Sequence, residues 1–275
     1  MGKIRPGTAN WAFVGGGNMT DALVRGISVG LKIPPEHIVA TDILEERRNF
    51  LVATHGIRTS SDNASAVAAA DVVILAVKPP VIPTVLAEIA AHIAANQLVI
   101  SVAAGITTET IQAALRPGTR IVRAMPNTPA MVLAGATGLA MAEHATQFDI
   151  ELARRVFGAV GRTVLVPESL MDAVTGLSAS GPAFVFTFIE SLADGGVLMG
   201  IPRATAVELA AQTVLGSAKM VLESARHTSQ LKDMVTSPGG TTIHGMRTLE
   251  NGAFRGLIMD AVQSATKRSR ALGRR

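Results

Sequence analysis

The sequence predicts an α/β protein in two parts, a doubly wound sheet on the amino-terminal side followed by an all-helical part. Two observations carry this. From the start to about Pro167 short β-like runs alternate with helical stretches, and after Pro167 the β-runs stop. Within the first part, Asp71-Val-Val-Ile-Leu-Ala-Val77 and Leu98-Val-Ile-Ser-Val102 are nearly continuous apolar segments. That is the pattern of central strands covered by helices on both faces.

Taken in order, the first strand is Trp11–Val14, which runs straight into three glycines. His37–Ala40 and Ile57–Thr59 supply the next two, separated by helical stretches at Met19–Leu31 and Leu44–Thr54. Val81–Ile93 has helical spacing between the two central strands, Arg120–Ala124 follows as a strand, and Gly138–Met141 and Thr163–Val166 are two further candidates. Beyond Pro167, the stretches Ser180–Met199, Arg203–Ser224, Ser229–Val235, Pro238–Glu250 and Phe254–Leu272 favour helix. Gly200-Ile-Pro202 and Ser237-Pro-Gly-Gly240 punctuate them. The domains expected are therefore 1–167 and 168–275. The helical part carries Ala, Leu, Val and Met on more than one face, which suits burial against a second copy.

Composition narrows the function. Hydrophobic residues make up 48% and charged residues 17%, the balance of a packed protein with subunit contacts. Aromatics are 3%, with one Trp and no Tyr, so a stacking platform for bases is not expected and nucleic acid is excluded as a partner. The net charge is +4, and Lys267, Arg268, Arg270, Arg274 and Arg275 read as a solvated helix end. The chain has no Cys, which removes disulfide and thiolate chemistry and fits a reducing compartment. No secretory segment opens the sequence, and no uninterrupted apolar span is long enough for a bilayer. A cytoplasmic protein with no membrane partner is the expectation.

Two segments carry chemistry. Between Thr236 and Thr242 the chain reads Thr-Ser-Pro-Gly-Gly-Thr-Thr ahead of a helical pattern. Pro238 suits a first helical turn, and Gly239 and Gly240 let the backbone approach a ligand with free N–H groups. A helix N-terminus of this kind favours an anion, and the hydroxyls of Ser237, Thr241 and Thr242 flank it. An ordinary capped helix after a Gly-rich turn would look similar. The second segment, Phe13-Val-Gly-Gly-Gly-Asn-Met-Thr20, lies between the first strand and the first helix, the setting of a Rossmann phosphate turn. Gly15 allows the bend and Gly17 lets a pyrophosphate come close, with Asn18 and Met19 opening the helix. Thr20 stands where a third Gly or Ala is usual, so the helix is expected slightly farther from the sheet.

At the end of the second strand, Asp42 would bond ribose hydroxyls and repel a 2′-phosphate, which leans toward NAD; helix capping is the alternative. Arg47 and Arg48 could meet a 2′-phosphate if the loop folds back. Ala76, Lys78 and Pro79, with Met125, Asn127 and Thr128, sit at other strand ends and should frame a dinucleotide, and Asn63 is a candidate on the adenosine side. The histidines are scattered without metal-ligand spacing, so no metal is expected. Ser178 and Ser180 lack the strand–turn–helix setting of a nucleophile.

Together the blocks Val14–Met19, Leu75–Pro79, Arg123–Pro129, Thr175–Pro182 and Leu231–His244 resemble pyrroline-5-carboxylate reductases, across nearly the whole chain. The resemblance implies a Rossmann domain, a helical domain that interlocks two subunits into a homodimer and often a decamer, and NADPH or NADH as hydride donor. It implies that Ser237, Gly239, Gly240 and Thr241 hold the carboxylate of 1-pyrroline-5-carboxylate and that Thr242 contacts the ring nitrogen as the catalytic hydroxyl. The family's frequent Tyr after the Ser-Gly-Pro-Ala run is Phe184 here, so a phenolic proton donor is missing. A β-hydroxyacid dehydrogenase shares the plan but relies on a lysine in the helical domain. A nucleotide-binding regulator without turnover is the rival from another class.

Overall fold

The computed structural model describes residues 4–273. By compactness they fall into two units, residues 4–180 with 263–273, and Gly181–Val262. The sequence places the boundary at Pro167, whereas this division falls at Ser180 and returns the end of the last helix to the first unit.

The first unit is built on an eight-stranded sheet, β1 (Trp11–Val14), β2 (Ile38–Thr41), β3 (Arg58–Ser60), β4 (Val72–Leu75), β5 (Leu98–Ser101), β6 (Arg120–Met125), β7 (Gly135–Met141) and β8 (Gly161–Leu165), in the order β3-β2-β1-β4-β5-β6-β7-β8. The first six are parallel, β7 runs antiparallel to β6, and β8 is parallel to β7. The reversal at β7 corrects a purely parallel reading. Its cause is the short connection through Pro126–Ala134, too short for the crossover a parallel neighbour requires.

Helices α1 (Asn18–Gly30), α2 (Glu45–His55), α3 (Asn63–Ala68), α4 (Ile82–Ile89), α5 (Thr108–Ala114) and α6 (Gln147–Gly158) cover the sheet. The sequence reading places no helix at α3, α5 or α6. The first two are short, while α6 carries a capping box between Thr146 and Asp149. Alternation along the strands sends residues to two cores. Trp11, Phe13, Ile74 and Ile100 join Leu23, Ile27, Val156 and Phe157 on one face. Ala12, Val14, Leu75 and Val99 join Val67, Ile82 and Leu86 on the other. At about 1.5–3 kcal/mol for each large buried side chain, these two layers hold the unit together.

From Glu168 the chain is helical through Leu198. It comprises α7 (Met171–Val174), a π-helical turn at Thr175–Ala179, and α8 (Gly181–Leu198). This 31-residue stretch, which holds an 18-residue window of mean hydropathy 1.2, is long and apolar enough to cross a membrane by length and composition alone. Asp172, Glu190 and Asp194 fall within it, so it is not an uninterrupted apolar span. The sequence reading starts a helix at Ser180, whereas helical turns begin already at Glu168 and run on through the wider π turn.

In the second unit α8 pairs with α9 (Arg203–Glu223) through Ala193, Ala206 and Ala210. Small residues allow the approach, and Gly196 stands where a Cβ would lie 3.2 Å from the Ala206 Cβ. α10 (Thr228–Met234), α11 (Thr241–Asn251) and the start of α12 (Phe254–Gly273) complete it. Phe188 meets Phe254 with ring centroids 5.9 Å apart. Phe186, Leu198, Met199, Leu215, Leu257 and Met259 are exposed, which leaves apolar surface on several helices.

Two backbone positions test this packing. Gly161 has φ +152° and a Cβ there would fall 2.0 Å from the Gly135 carbonyl oxygen. Gly161→Ala should lower stability by about 3 kcal/mol in chemical denaturation, because the obstacle is main chain. Ala253 holds φ +54° between α11 and α12. Ala253→Gly should raise stability by about 0.5–1 kcal/mol in the same assay, since left-handed strain outweighs the added chain entropy.

Candidate active site

The turn after β1 is shaped by close backbone contact. Gly15 has φ +104°, donates its N–H to the Thr41 carbonyl at 2.9 Å, and leaves room for no side chain, since a Cβ would lie 2.8 Å from the Ala76 carbonyl oxygen. Gly17 is the N-cap of α1 and has open space where a Cβ would stand. A pyrophosphate can therefore reach the helix N-terminus at Gly17, Asn18 and Met19, and the residues present fit a dinucleotide. Thr20 is fully buried and its hydroxyl donates to the Gly15 carbonyl. The extra side-chain atoms thus clamp the turn, and the tight helix contact shifts to Gly26, where a Cβ would meet the Val160 side chain at 2.4 Å.

Asp42 closes this turn from the side. Its carboxylate accepts from the Gly16 N–H at 2.8 Å and the Leu44 N–H at 2.9 Å, so it bridges the glycine turn and the start of α2. Gly16 is a contributor that the glycine spacing did not single out. Arg47 donates from Nε to the Gly16 carbonyl at 2.9 Å and lies over the Phe50 ring. Arg48 donates to the Asp42 carbonyl at 2.7 Å. Both guanidinium groups are thus engaged with the main chain of the loop. Asn63 accepts from the Thr41 hydroxyl at 2.6 Å and donates to Glu88 at 2.7 Å, which ties the β2 end to α4. Beside it Asp62 caps α3, and the Ser65 N–H holds its carboxyl below the usual carboxylate range.

The other strand ends gather as expected at the carboxyl edge of the sheet. Ala76 donates to the Val14 carbonyl at 2.8 Å, Lys78 is exposed, and Pro79 opens a short 3₁₀ turn. Met125 is buried, Thr128 is exposed, and Asn127 uses both ends of its carboxamide within the protein, at Ala136 and Ser178.

In the second unit, Ser237-Pro-Gly-Gly240 is a β-turn, closed by the Gly240 N–H on the Ser237 carbonyl at 3.1 Å, with Gly239 at φ +66°. α11 begins only at Thr241, with Gly240 as N-cap, which corrects the expected start at Pro238. Pro238 and Gly239 fill the central turn positions that suit them, and the first helical N–H groups stay free for a ligand. Ser237 lies against Gly240, where a Cβ would meet its Oγ at 2.2 Å. Ser237 and Thr241 are exposed and Thr242 is half-buried on the first turn. His244 is exposed on the same helix, and Phe184 stands in the first turn of α8.

A sequence profile described as pyrroline-5-carboxylate reductase dimerisation matches residues 168–272. A second, described as NADP oxidoreductase coenzyme F420-dependent, matches residues 10–105. Over 264 residues the chain is 51% identical to a pyrroline-5-carboxylate reductase of Methanosarcina acetivorans, covering 96% of this chain and 97% of the relative. The chain belongs to the pyrroline-5-carboxylate reductase family. A reductase of this name from Synechocystis is 47% identical, with 95% and 97% covered. Among solved structures, the pyrroline-5-carboxylate reductase of Coxiella burnetii superposes with a TM-score of 0.90 at 40% identity, covering 96% of this chain and 98% of that one. The Plasmodium falciparum pyrroline carboxylate reductase, solved with NADP bound, gives 0.88 at 31% identity, with 97% and 99% covered. The chain is accordingly an oxidoreductase of the pyrroline-5-carboxylate reductase family, acting on a small molecule with NAD(P)H and working as an oligomer.

The fixed Asp42 carboxylate generates a test of cofactor choice. kcat/KM should be higher with NADH than with NADPH, and Asp42→Ser should move the ratio toward NADPH by about tenfold, the worth of ~1.4 kcal/mol of like-charge repulsion. An unchanged ratio would show that Asp42 does not face the 2′ position.

Proposed function

We propose that the chain reduces the cyclic imine of 1-pyrroline-5-carboxylate to L-proline, the last step of proline biosynthesis, with hydride from NADH or NADPH. The observation that carries the assignment of roles is the Ser237–Gly240 turn leading into α11. It presents free main-chain N–H groups, a helix N-terminus and three hydroxyls within six residues, a receptor for a carboxylate attached to a small polar ring.

The chemistry asks little of the protein. A protonated imine accepts hydride readily, so the residues must hold the ring, favour its cationic nitrogen and keep it oriented. Ser237, Gly239, Gly240 and Thr241 take the carboxylate. Thr242, one residue farther along the first turn, sets its hydroxyl at the ring nitrogen, accepting from the iminium N–H and fixing which face is attacked. The proton comes from solution or arrives on the substrate, as Phe184 offers none. Gly15, Gly17, Asn18 and Met19 hold the pyrophosphate, Asp42 and Asn63 border the adenosine side, and Ala76, Lys78, Pro79, Met125 and Thr128 frame the remaining edge, with Asn127 behind them. The bound dinucleotide supplies the hydride, and holding both reactants makes its transfer effectively unimolecular.

We further propose a homodimer, assembled into a decamer, in a cytoplasmic setting and without a membrane partner. The exposed apolar side chains of α8, α9 and α12 support the dimer, and the same burial accounts for the apolar character of the Glu168–Leu198 helix.

Oxidation of NADH and NADPH should be followed with pyrroline-5-carboxylate and with its six-membered homologue. Turnover with the five-membered imine is expected, and none with either ring would refute the reading. Thr242→Ala should lower kcat about 10- to 100-fold at equal stability, the value of one hydrogen bond to a charged group. Gly240→Ala should chiefly raise the KM for the imine, because the added methyl displaces the Ser237 hydroxyl.

A further inference from the structure

We infer that Asn127 is a positioning residue for the reduction, one that holds a π-helical turn open against the carboxyl ends of β5 and β6, and that it is not a ligand of the dinucleotide. Its effect on turnover rests on the imine-reductase reading. Its effect on the helix rests on geometry alone.

The π turn at Thr175–Ala179 inserts a residue into the helix that starts at Met171, and the Ser180 N–H reaches back to the Thr175 carbonyl at 2.9 Å. Such turns have poorer geometry than an α-helix and persist where something outside the helix holds them. Here the holder is identifiable. Asn127 Nδ2 donates to the Ser178 carbonyl at 3.0 Å, and Asn127 Oδ1 accepts from the Ala136 N–H at 2.8 Å. The partners force the amide orientation, because a main-chain carbonyl needs a donor and a main-chain N–H needs an acceptor. One short side chain therefore ties the π turn to the first residues of β7. Inside the helix, Thr175 and Ser178 turn their hydroxyls back onto the Met171 and Val174 carbonyls, each at 2.9 Å, which loosens the regular ladder.

The seat of this turn connects it to the site. Val174 presses on Gly138, where a Cβ would lie 2.6 Å from Val174 Cγ1, and Gly138 is the register partner of Met125. Val174 and Ala179 pack with Met125, Met171 and Ala104 in one small apolar cluster. Met125 ends β6, and Ala104 lies just past β5, so a change of helix register between 174 and 179 moves the side chains at both strand ends. With both ends of its carboxamide committed, Asn127 shapes that wall from behind.

The test compares wild type with Asn127→Asp, which keeps the acceptor for Ala136 but sets a carboxylate against the Ser178 carbonyl. In the variant kcat for imine reduction should fall about tenfold or more, the scale of a small misplacement of reactants. The Kd for NADH and NADPH, read from nicotinamide fluorescence without imine, should stay within about twofold. A crystal structure of the variant should show residues 175–180 closed into i→i+4 bonding. Retention of the π turn, or a tenfold weaker Kd with kcat preserved, would overturn the inference. A crystal structure of the wild type with NADPH serves if the variant does not fold. Asn127 should still bond Ser178, and a carboxamide turned onto the dinucleotide would overturn the proposal. Absence of wild-type turnover would refute the imine reading instead, and the helix register would remain a separate result.

Discussion

The contact between Gly15 and the Ala76 carbonyl is the constraint on which the cofactor half of this protein depends. β1 lies between β2 and β4, where successive connections leave the sheet in opposite directions, so a crevice opens at its carboxyl end. A side chain at Gly15 would strike main chain and force the strand end outward. Without one, the chain turns sharply enough to aim α1 at the crevice, and the Thr20 hydroxyl secures the turn from inside. Asp42 then closes it from the β2 side. Helix direction and strand packing are thus consequences of one missing Cβ.

Buried charge gives the same unit its internal register. Arg120 pairs with Asp149 at 2.6 Å, joining β6 to the start of α6, and both side chains are almost fully enclosed. Arg123, three residues along the same strand, reaches Glu168 at 2.9 Å, and Glu168 also accepts from the Thr108 N–H. His55 meets Asp21 at 2.6 Å between α2 and α1. Pairs of this kind add little net stability once desolvation is counted, but loss of one partner strands a charge in an apolar interior. They specify which helix end meets which strand. The second unit has none so enclosed among its described ion pairs, which are solvent-facing, and its large apolar side chains point outward. Its association surface is the natural counterpart of the first unit's interior.

The strands and most of the long helices were legible because each is a local pattern. A run such as Val72–Leu75 is buried on both faces and needs no partner to be recognised, and the glycines after β1 announce their turn by position. The Ser237–Gly240 turn was legible as a turn, though its helix begins at Thr241, because Pro238 and Gly239 satisfy a β-turn better than a first helical turn. Asp42 illustrates the limit. Its place at the end of β2 was readable, whereas its bond to Gly16 joins segments distant in sequence. Asn127 shows the same limit more sharply, since a polar residue in a strand-end loop looks like a ligand until the partners of its carboxamide are known.

Hydrophobic periodicity and turn chemistry, which depend on near neighbours, determined from sequence alone the order of the strands, the longer helices of the carboxyl-terminal part, the glycine turn and the Ser237–Gly240 turn, and the motif blocks carried the likeness to a reductase family. Tertiary structure decided the reversal of β7, the continuation of the helix through Ser178–Pro182, and the commitments of Asp42, Asn63 and Asn127. Each of these depends on which distant segment or polar group comes within reach, and that is settled only when the sheet has assembled and its cores have closed.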